Sequence, residues 1–296
     1  MSSPTLLVLA AGLGSRYGGL KQLDPVGPGG EILLDYAVFD ALRAGFGRVV
    51  FVIREEFAGE FRALVAAKYA GRVPVELVFQ STADLPSGHA LPLSREKPWG
   101  TGHAVWCARA VVTGPFAVIG ADDFFGRDAF AQLAAFFSEN PKSTLQIPKY
   151  ALAGYRLART LSDYGAVARG VCDVRPDGTL ARVTERTNLH REAIGPGREF
   201  TGNETVSMNC WAFAPEIFPA LEQQFGEFLR ARSHEPKSEF YLPEAVSAQI
   251  AARTAEVCVL PTSAMWFGVT YREDKPRVQA ALAALHACGE YPAKLF

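Results

Sequence analysis

The chain has few cysteines, almost no net charge and no long hydrophobic run, and each shortage excludes a class of protein. Its five cysteines are odd in number, scattered and without a Cys-x-x-Cys pair, so neither a disulfide framework nor a zinc site is indicated. A net charge of -1 offers no general attraction for nucleic acid or an anionic membrane. The first apolar run is too short for a signal peptide or a membrane span. We therefore expect a cytoplasmic protein that binds neither nucleic acid nor membrane.

The first half of the sequence alternates between short apolar runs and amphipathic stretches. Of the 296 residues, 49% are hydrophobic and 21% charged, enough for a sizeable core. The pattern predicts strands at 5–11, 48–53, 75–79 and 115–121, and helices at 34–44, 56–69, 102–111 and 127–137. Such alternation predicts an α/β fold with a mostly parallel sheet, in which ligands bind at the carboxyl ends of the strands.

The second half has a different pattern, with hairpins and fewer helices. Pro176-Asp177-Gly178 predicts a turn between two strands. The predicted strands are 166–175, 179–184, 205–213, 256–260 and 266–269, and the predicted helices are 214–224, 243–252 and 273–286. Two long loops are expected at 81–99 and 186–203, and long loops in a compact domain are often functional.

Residues 6–22 form an apolar run followed by a glycine-rich turn that carries Arg16 and Lys21. Glycines let the backbone approach an anion, and the two cations can stabilise a phosphoryl-transfer transition state. A dinucleotide fingerprint fails at Tyr17, where a third glycine is needed, and a P-loop fails at Leu20, where lysine is needed. The segment is thus a candidate polyphosphate site, and an ordinary strand-to-helix turn is the alternative.

The pattern Gly12-x-Gly14-x-Arg16 with Lys21-Gln22 resembles the signature loop of the sugar-1-phosphate nucleotidyltransferases. These enzymes join a sugar 1-phosphate to a nucleoside triphosphate and release pyrophosphate. The resemblance implies catalytic roles for Arg16 and Lys21, the lysine lying near the attacked phosphorus. It also implies triphosphate contacts by the backbone of Ala10, Ala11, Gly12 and Gly14. The family usually has proline where this chain has Leu20.

The segment Gly100-Thr101-Gly102-His103-Ala104 is a second motif. From the residues alone it is a helix start with Thr101 as its cap. It resembles the base-reading motif of bacterial uridylyltransferases that act on glucose 1-phosphate or N-acetylglucosamine 1-phosphate. The resemblance implies that Gly100, Thr101 and a preceding glutamine, for which Gln80 is the candidate, contact uracil. We expect a structural role for His103.

Asp122 and Asp123 end a predicted strand at the edge where the glycine-rich loop should lie. Adjacent residues of a strand alternate between faces, so one carboxylate is expected to face the cleft. The family binds magnesium at this point, which implies Asp122 as the metal ligand. Asp123 is a candidate cap of the next helix.

Several later segments resemble the family's sugar-phosphate side. They imply substrate contacts at Gly165, Glu185, Arg186 and Asn209. The segment 266–274 resembles one in which an aspartate supplies a second metal ligand, but Gly268 stands at that position. Three interpretations remain: Asp122 acts with water and phosphates, another acid such as Asp123 or Asp274 substitutes, or the chain is a catalytically inactive paralogue.

The resemblance covers residues 5–285 and implies a doubly wound, Rossmann-like nucleotidyltransferase fold of the GT-A type with a mixed central sheet. We expect one domain over 1–296, with a nucleotide-binding half at 1–142 and a sugar-phosphate-binding half at 143–296. The implied cofactor is Mg²⁺ and the implied substrates are a sugar 1-phosphate and UTP, with dTTP or CTP next; a homo-oligomer is compatible with the sequence. The alternatives are a cytidylyltransferase for a non-sugar phosphate or phosphonate and a non-catalytic nucleotide-sugar-binding regulatory protein.

Overall fold

The computed structural model describes residues 3–12, 24–140 and 149–296. The strands are β1 (Thr5–Leu9), β2 (Arg48–Ile53), β3 (Val75–Phe79), β4 (Phe116–Gly120), β5 (Asp123–Phe124), β6 (Lys149–Arg156), β7 (Val167–Val174), β8 (Leu180–Leu189), β9 (Thr205–Phe213), β10 (Glu256–Pro261) and β11 (Phe267–Gly268). The helices are α1 (Leu33–Arg43), α2 (Ala58–Phe61), α3 (Ala67–Tyr69), α4 (Thr101–Cys107), α5 (Arg127–Glu139), α6 (Ile217–Arg232), α7 (Leu242–Ala251) and α8 (Asp274–Ala287). A π-helical turn, Arg62–Ala66, joins α2 to α3.

In the described ranges the strands build a nine-stranded mixed sheet in the order β10-β6-β9-β4-β1-β2-β3, with β7 and β8 branching from β9. The pairs β1–β2, β2–β3, β1–β4 and β10–β6 are parallel. Strand β9 is antiparallel to both β4 and β6. The predicted α/β class with a mixed central sheet is therefore confirmed, and strands from both halves of the chain share one sheet.

Strand β1 is buried on both faces, as its continuous apolar sequence requires. Leu6 and Val8 face one hydrophobic cluster, which α1 and α5 cover, while Leu7 faces another, which α4, α6 and α7 cover. A third cluster packs α8 against the two-stranded antiparallel ribbon of β5 and β11. None of the described helices is both long and apolar enough to cross a membrane.

Most predicted elements are found within one or two residues, and β2, β3 and β9 have the predicted bounds. Four differences affect the site. Strand β8 continues to Leu189, five residues past the predicted end at 184, so Glu185 and Arg186 lie on a strand and the expected loop at 186–203 begins later. Strand β1 ends at Leu9 rather than at 11, so the loop that follows begins two residues earlier. Strand β6, with the sequence Lys-Tyr-Ala-Leu-Ala-Gly-Tyr-Arg, was not predicted. The helix expected at 214–224 begins later and continues to Arg232.

Candidate functional site

The ends of the parallel strands place the first motif at one edge of the sheet. Leu9 pairs with Gly120, the last residue of β4, and Ala10 donates its backbone N–H to the Val52 carbonyl of β2 over 2.8 Å. Ala10 and Ala11 are buried, whereas Gly12 is exposed at the edge. The other predicted residues of this loop, Gly14, Arg16 and Lys21, lie outside the described residues, so their roles remain predictions.

Both aspartates that follow β4 lie over the same residue. A Cβ atom at position 120 would lie 3.4 Å from Asp122 Oδ1 and 3.5 Å from Asp123 Oδ2. Alternation therefore does not separate the two carboxylates, because β4 ends at Gly120 and the chain turns through Ala121 and Asp122. The helix-cap interpretation of Asp123 is wrong, since Asp123 lies in β5 and α5 has Gly126 as its N-cap residue.

Gly268, where the second metal ligand was expected, lies directly opposite Asp123 in the β5–β11 ribbon. A Cβ atom at position 268 would lie 3.0 Å from Asp123 Oδ1 and 2.6 Å from the Trp266 ring. A side chain at position 268 would therefore collide with the ring and meet the carboxylate already there. The Asp123 carboxylate therefore lies between Gly120 and Gly268, and only at position 268 would an added Cβ atom be crowded.

The other candidate acid, Asp274, has a structural role. Its carboxylate is buried and accepts hydrogen bonds from the Ser162 hydroxyl at 2.8 Å and the Tyr271 backbone N–H at 2.9 Å. Both oxygens are thus used to hold the 160–164 segment against the start of α8. Of the two acids considered as substitutes, the geometry favours Asp123.

Arg169 is a buried cation in this region that the sequence analysis missed. Its guanidinium lies 4.7 Å from the centre of the Trp266 ring and donates to the Thr160 and Ala168 carbonyls. Burial lowers the Arg169 pKa to about 10, an effect that the nearby carboxylates of Asp123, Glu185 and Asp274 oppose. Arg169 is therefore charged at neutral pH and balances the negative charge around it. A single arginine in a strand gives no sequence signal for such a role.

Gln80 and Gly100 are brought together although twenty positions separate them. Gln80 directly follows β3, and its backbone N–H donates to the Ile53 carbonyl at the end of β2. Its side-chain Nε2 donates to the Gly100 carbonyl over 2.9 Å. Gln80 therefore lies at the same carboxyl edge as Ala10, two strands away.

The 81–99 loop joins Gln80 to Gly100, and Arg95 holds this loop in place. The buried Arg95 guanidinium lies 3.8 Å from the centre of the Trp99 ring. It donates to the carbonyl oxygens of Lys97, Pro98, Glu235, Pro236 and Ser238. Trp99 in turn donates its indole N–H to the Thr82 carbonyl at 2.9 Å, so both ends of the loop are tied together.

The glycines of the second motif are required by packing. Gly100 has φ +102°, and a Cβ atom there would lie 2.7 Å from the Phe240 carbonyl oxygen. A Cβ atom at Gly102 would lie 2.7 Å from the Phe240 ring. The Thr101 hydroxyl accepts the Leu242 backbone N–H at 3.0 Å. Thr101 therefore caps α7 and not its own helix, so that part of the sequence interpretation is wrong.

His103 is fully buried beside Gln80. Its Nδ1 lies 3.2 Å from Gln80 Nε2, and its Nε2 lies 2.9 Å from the Asp84 carbonyl oxygen. Burial lowers the His103 pKa to about 4, so the ring is neutral at physiological pH. The expectation of a structural role is consistent with this position.

The predicted sugar-side residues lie on β7–β9 and the loop before them. Asn209 has φ +56° and lies where β9 carries extra residues against β6, a bulge that turns its side chain out of the sheet. It is two residues beyond the Val118–Trp211 pair of β4 and β9, which puts it at the edge that holds Gly120. Gly165 packs against the Tyr271 ring, 2.6 Å from where its Cβ would be.

Glu185 and Arg186 are both exposed on β8. They pair with Gly170 and Arg169 of β7, respectively. The Glu185 pKa is raised, chiefly because its carboxyl group is partly removed from water. The Arg169 charge opposes this rise and the Glu244 charge adds to it. Glu185 is thus linked electrostatically to Arg169, and through it to the Asp123 region, while Arg186 is a separate surface cation.

Comparison with solved structures identifies the fold. A UDP-glucose pyrophosphorylase in complex with UDP-glucose is 18% identical, with a TM-score of 0.56 over 94% of this chain and 98% of that one. A Bacillus anthracis protein assigned as a glucose-1-phosphate thymidylyltransferase is 14% identical, with a TM-score of 0.65 over 99% and 98%. The inositol-1-phosphate CTP transferase of T. maritima is 14% identical, with a TM-score of 0.59 over 97% of each chain. The chain has the nucleotidyltransferase fold.

That likeness extends over nearly the whole chain and confirms the fold that the motifs implied. No protein-family model matches the sequence, and no curated protein was found to match it. In the nucleotidyltransferase fold of this chain, Ala10–Gly12, Gln80, Asp122 and Asn209 lie at one edge of the sheet, at the ends of different strands.

Proposed function

We propose that this protein is a nucleotidyltransferase that joins a nucleoside triphosphate, UTP by preference, to a sugar 1-phosphate, giving an NDP-sugar and pyrophosphate. The observation that carries the proposal is the shared sheet edge. There the start of the glycine-rich loop, the Asp122–Asp123 pair and the Gln80–Gly100 contact occur together in a chain with this fold. On this basis residues 1–142 bind the nucleotide and residues 143–296 bind the sugar phosphate.

The aspartate pair fits a hard divalent cation. Mg²⁺ prefers oxygen ligands and keeps several waters, which suits one or two carboxylates at an open edge. Asp122 is exposed, and the Asp123 carboxylate reaches the same point over Gly120. Bound Mg²⁺ would neutralise charge on the phosphates. In this proposal Asp122 is the principal ligand, and Asp123 supplies the carboxylate that position 268 lacks.

The remaining chemistry is positioning and electrostatic stabilisation. An ionised phosphate oxygen of the sugar 1-phosphate attacks the α-phosphorus in line, so neither a protein nucleophile nor a general base is needed. The backbone of Ala10, Ala11, Gly12 and Gly14 and the cations Arg16 and Lys21 hold the triphosphate. Gln80, Gly100 and Thr101 hold the base. Gly165, Glu185, Arg186 and Asn209 hold the sugar phosphate.

The test is pyrophosphate release over an array of nucleoside triphosphates and sugar 1-phosphates with added Mg²⁺. Turnover should appear with a hexose 1-phosphate and UTP. Lys21→Ala should raise the activation barrier by about 2–4 kcal/mol, the usual effect of removing one preorganised charge-stabilising donor. Lys294→Ala, a change of an exposed lysine near the C-terminus, is the matched control and should leave the rate unchanged. Near-full turnover by the Lys21 variant would defeat the proposed mechanism.

The same assay tests two other candidate functions. The likeness to an inositol-1-phosphate CTP transferase supports a cytidylyltransferase for a non-sugar phosphate, which would turn over CTP with small phosphomonoesters or phosphonates. A non-catalytic nucleotide-sugar-binding protein, the alternative raised by the glycine at position 268 in the sequence, would bind ligand without turnover at any Mg²⁺ concentration.

A further inference from the structure

We propose that Arg169 is a positioning residue whose fixed positive charge balances part of the charge of the Asp122–Asp123 pair, so that a divalent cation is held firmly there only together with the triphosphate. Arg169 lies in β7, outside every motif that resembles the family. This inference rests on the proposed function, and it goes further because it gives one buried side chain opposite effects on the binding of the cation and of the nucleotide.

The Arg169 guanidinium is held in place by groups that leave its charge intact. Only 7% of the residue is exposed. Its Nε donates to the Thr160 carbonyl over 3.0 Å, its Nη2 donates to the same oxygen, and its Nη1 donates to the Ala168 carbonyl over 2.7 Å. Backbone carbonyls are neutral acceptors. These hydrogen bonds therefore fix the guanidinium and leave a full unit of positive charge inside the protein.

The ring of Trp266 is a neighbour of both Arg169 and Asp123. The guanidinium lies 4.7 Å from the centre of the ring. An atom of the same ring and Asp123 Oδ1 lie 2.6 Å and 3.0 Å, respectively, from one point, the place of a Cβ atom at position 268. Arg169, Trp266 and Gly268 also line one cavity. Because the ring is buried, the interaction between the two charges is less screened there than in water.

The carboxylates around Arg169 indicate which charge it balances. A buried charge is costly unless an opposite charge lies nearby. Burial lowers the Arg169 pKa to about 10, and the Asp123 carboxylate opposes this effect more strongly than those of Glu185 and Asp274. Geometry and electrostatics therefore agree that the Arg169 charge acts on the aspartate pair.

This arrangement separates a free cation from one that is bound with phosphate. The two carboxylates attract a divalent cation, but the nearby Arg169 charge repels it and lowers its affinity. A triphosphate supplies further oxygen ligands for the cation, and its negative charge is attracted by Arg169. The guanidinium thus weakens the binding of the cation alone and strengthens the binding of the triphosphate.

The experiment measures both affinities separately in wild-type protein, Arg169→Gln and Arg169→Lys. Mn²⁺ binding without nucleotide is followed by electron paramagnetic resonance, and UTP binding in the presence of EDTA by isothermal titration calorimetry. Arg169→Gln keeps a donor for the Thr160 carbonyl but has no charge. It should bind Mn²⁺ at least about threefold more tightly and UTP at least about threefold more weakly. Arg169→Lys keeps the charge and should stay close to wild type in both assays.

Arg182→Gln is the matched control. Arg182 is an exposed cation of the same β7–β8 hairpin, where it pairs with Asp173, and its loss should change neither affinity. The opposite signs expected of Arg169→Gln are the decisive result, because damage to the fold alone would weaken the binding of both ligands.

The outcomes separate this inference from the proposed function. Weaker binding of both ligands by Arg169→Gln, or no change in either, overturns the role of Arg169, while pyrophosphate release by wild-type protein leaves nucleotidyl transfer standing. If wild-type protein binds neither Mn²⁺ nor UTP and shows no turnover, the proposed function fails and this inference with it. Should Arg169→Gln not fold, Arg169→Met, which keeps an apolar stem against the Trp266 ring, must show the same two opposite changes.

Discussion

Acidification should lower the free energy of unfolding through protonation of His103, and the size of this effect follows from the burial of the ring. The ordinary histidine pKa is 6.5, and burial lowers that of His103 to about 4. Between these values the unfolded chain binds a proton at this position and the folded chain does not. The free energy of unfolding contributed by His103 is therefore fully present above pH 6.5 and is lost as the pH falls towards 4.

The magnitude is about 3 kcal/mol over the full range, since each unit of pKa difference corresponds to about 1.4 kcal/mol. About 2.5 kcal/mol of this should already be lost at pH 4.5. The physical reason is local: a protonated Nδ1 would point a hydrogen at Gln80 Nε2, which already donates to the Gly100 carbonyl.

Wild-type protein alone cannot give this number, because Asp40 acts in the opposite direction. Burial raises the Asp40 pKa from 3.8 to about 7, although Tyr291 and Arg43 lower it. Folded Asp40 therefore holds a proton that the unfolded chain releases, and its contribution to the free energy of unfolding falls as the pH rises from 3.8 to 7. The two slopes overlap between pH 4 and 6.5 and partly cancel.

The assay is urea denaturation of wild-type protein and His103→Asn from pH 4.5 to pH 8. The difference between their free energies of unfolding removes the Asp40 contribution, which both proteins share. This difference should be largest above pH 7 and should shrink by about 2.5 kcal/mol at pH 4.5. A difference that does not vary with pH would refute the assignment of His103 as a buried neutral histidine.

Three further predictions concern the site. In urea denaturation, Gly100→Ala should lower the free energy of unfolding by about 1 kcal/mol for the positive φ angle and by a further 1–3 kcal/mol, roughly, for overpacking. The control is Gly88→Ala, where φ is +82° and no atom lies within 4 Å of the added Cβ. This control should show only the cost of the positive φ angle. Asp123→Asn should weaken Mn²⁺ binding, followed by electron paramagnetic resonance, at least about tenfold, whereas Asp173→Asn on the β7–β8 hairpin should leave it unchanged; equal effects would exclude Asp123 from the metal site. Arg95→Met should cost at least about 2 kcal/mol and expose the 81–99 loop to limited proteolysis, and a protease-resistant variant would contradict its role as the anchor of that loop.

The clearest sequence signal for a strand comes from continuous apolar character. Strand β2 lies between β1 and β3, and its residues from Val49 to Ile53 are all buried, so its composition alone indicates its state. Strand β6 was missed because its alanines and Gly154 resemble no strand pattern. The glycine in this strand is required by tertiary packing, because a Cβ atom at position 154 would lie 2.6 Å from Thr205 and 2.9 Å from Val259 on the neighbouring strands.

The motifs predicted which short segments belong to the site, but not how they meet. The approach of Gln80 to Gly100 depends on Arg95, whose carbonyl partners include Glu235, Pro236 and Ser238, some 140 positions along the chain. No local pattern encodes contacts of that range. Likewise, the roles of Thr101 and Asp123 as helix caps followed from local rules, and both failed because the groups meet other elements instead.

The position of Asp123 changes how Gly268 should be interpreted. Read in sequence, a glycine where an aspartate is expected suggests a lost metal ligand and an inactive protein. In the fold, the residue directly across the ribbon carries a carboxylate whose oxygen lies 3.0 Å from where a Cβ at position 268 would be. A second carboxylate there would add like charge at close range and collide with Trp266, so the glycine is what allows Asp123 to occupy this space. Because Asp123, on the opposite strand of the ribbon, places a carboxylate beside position 268, Gly268 does not by itself argue for an inactive protein.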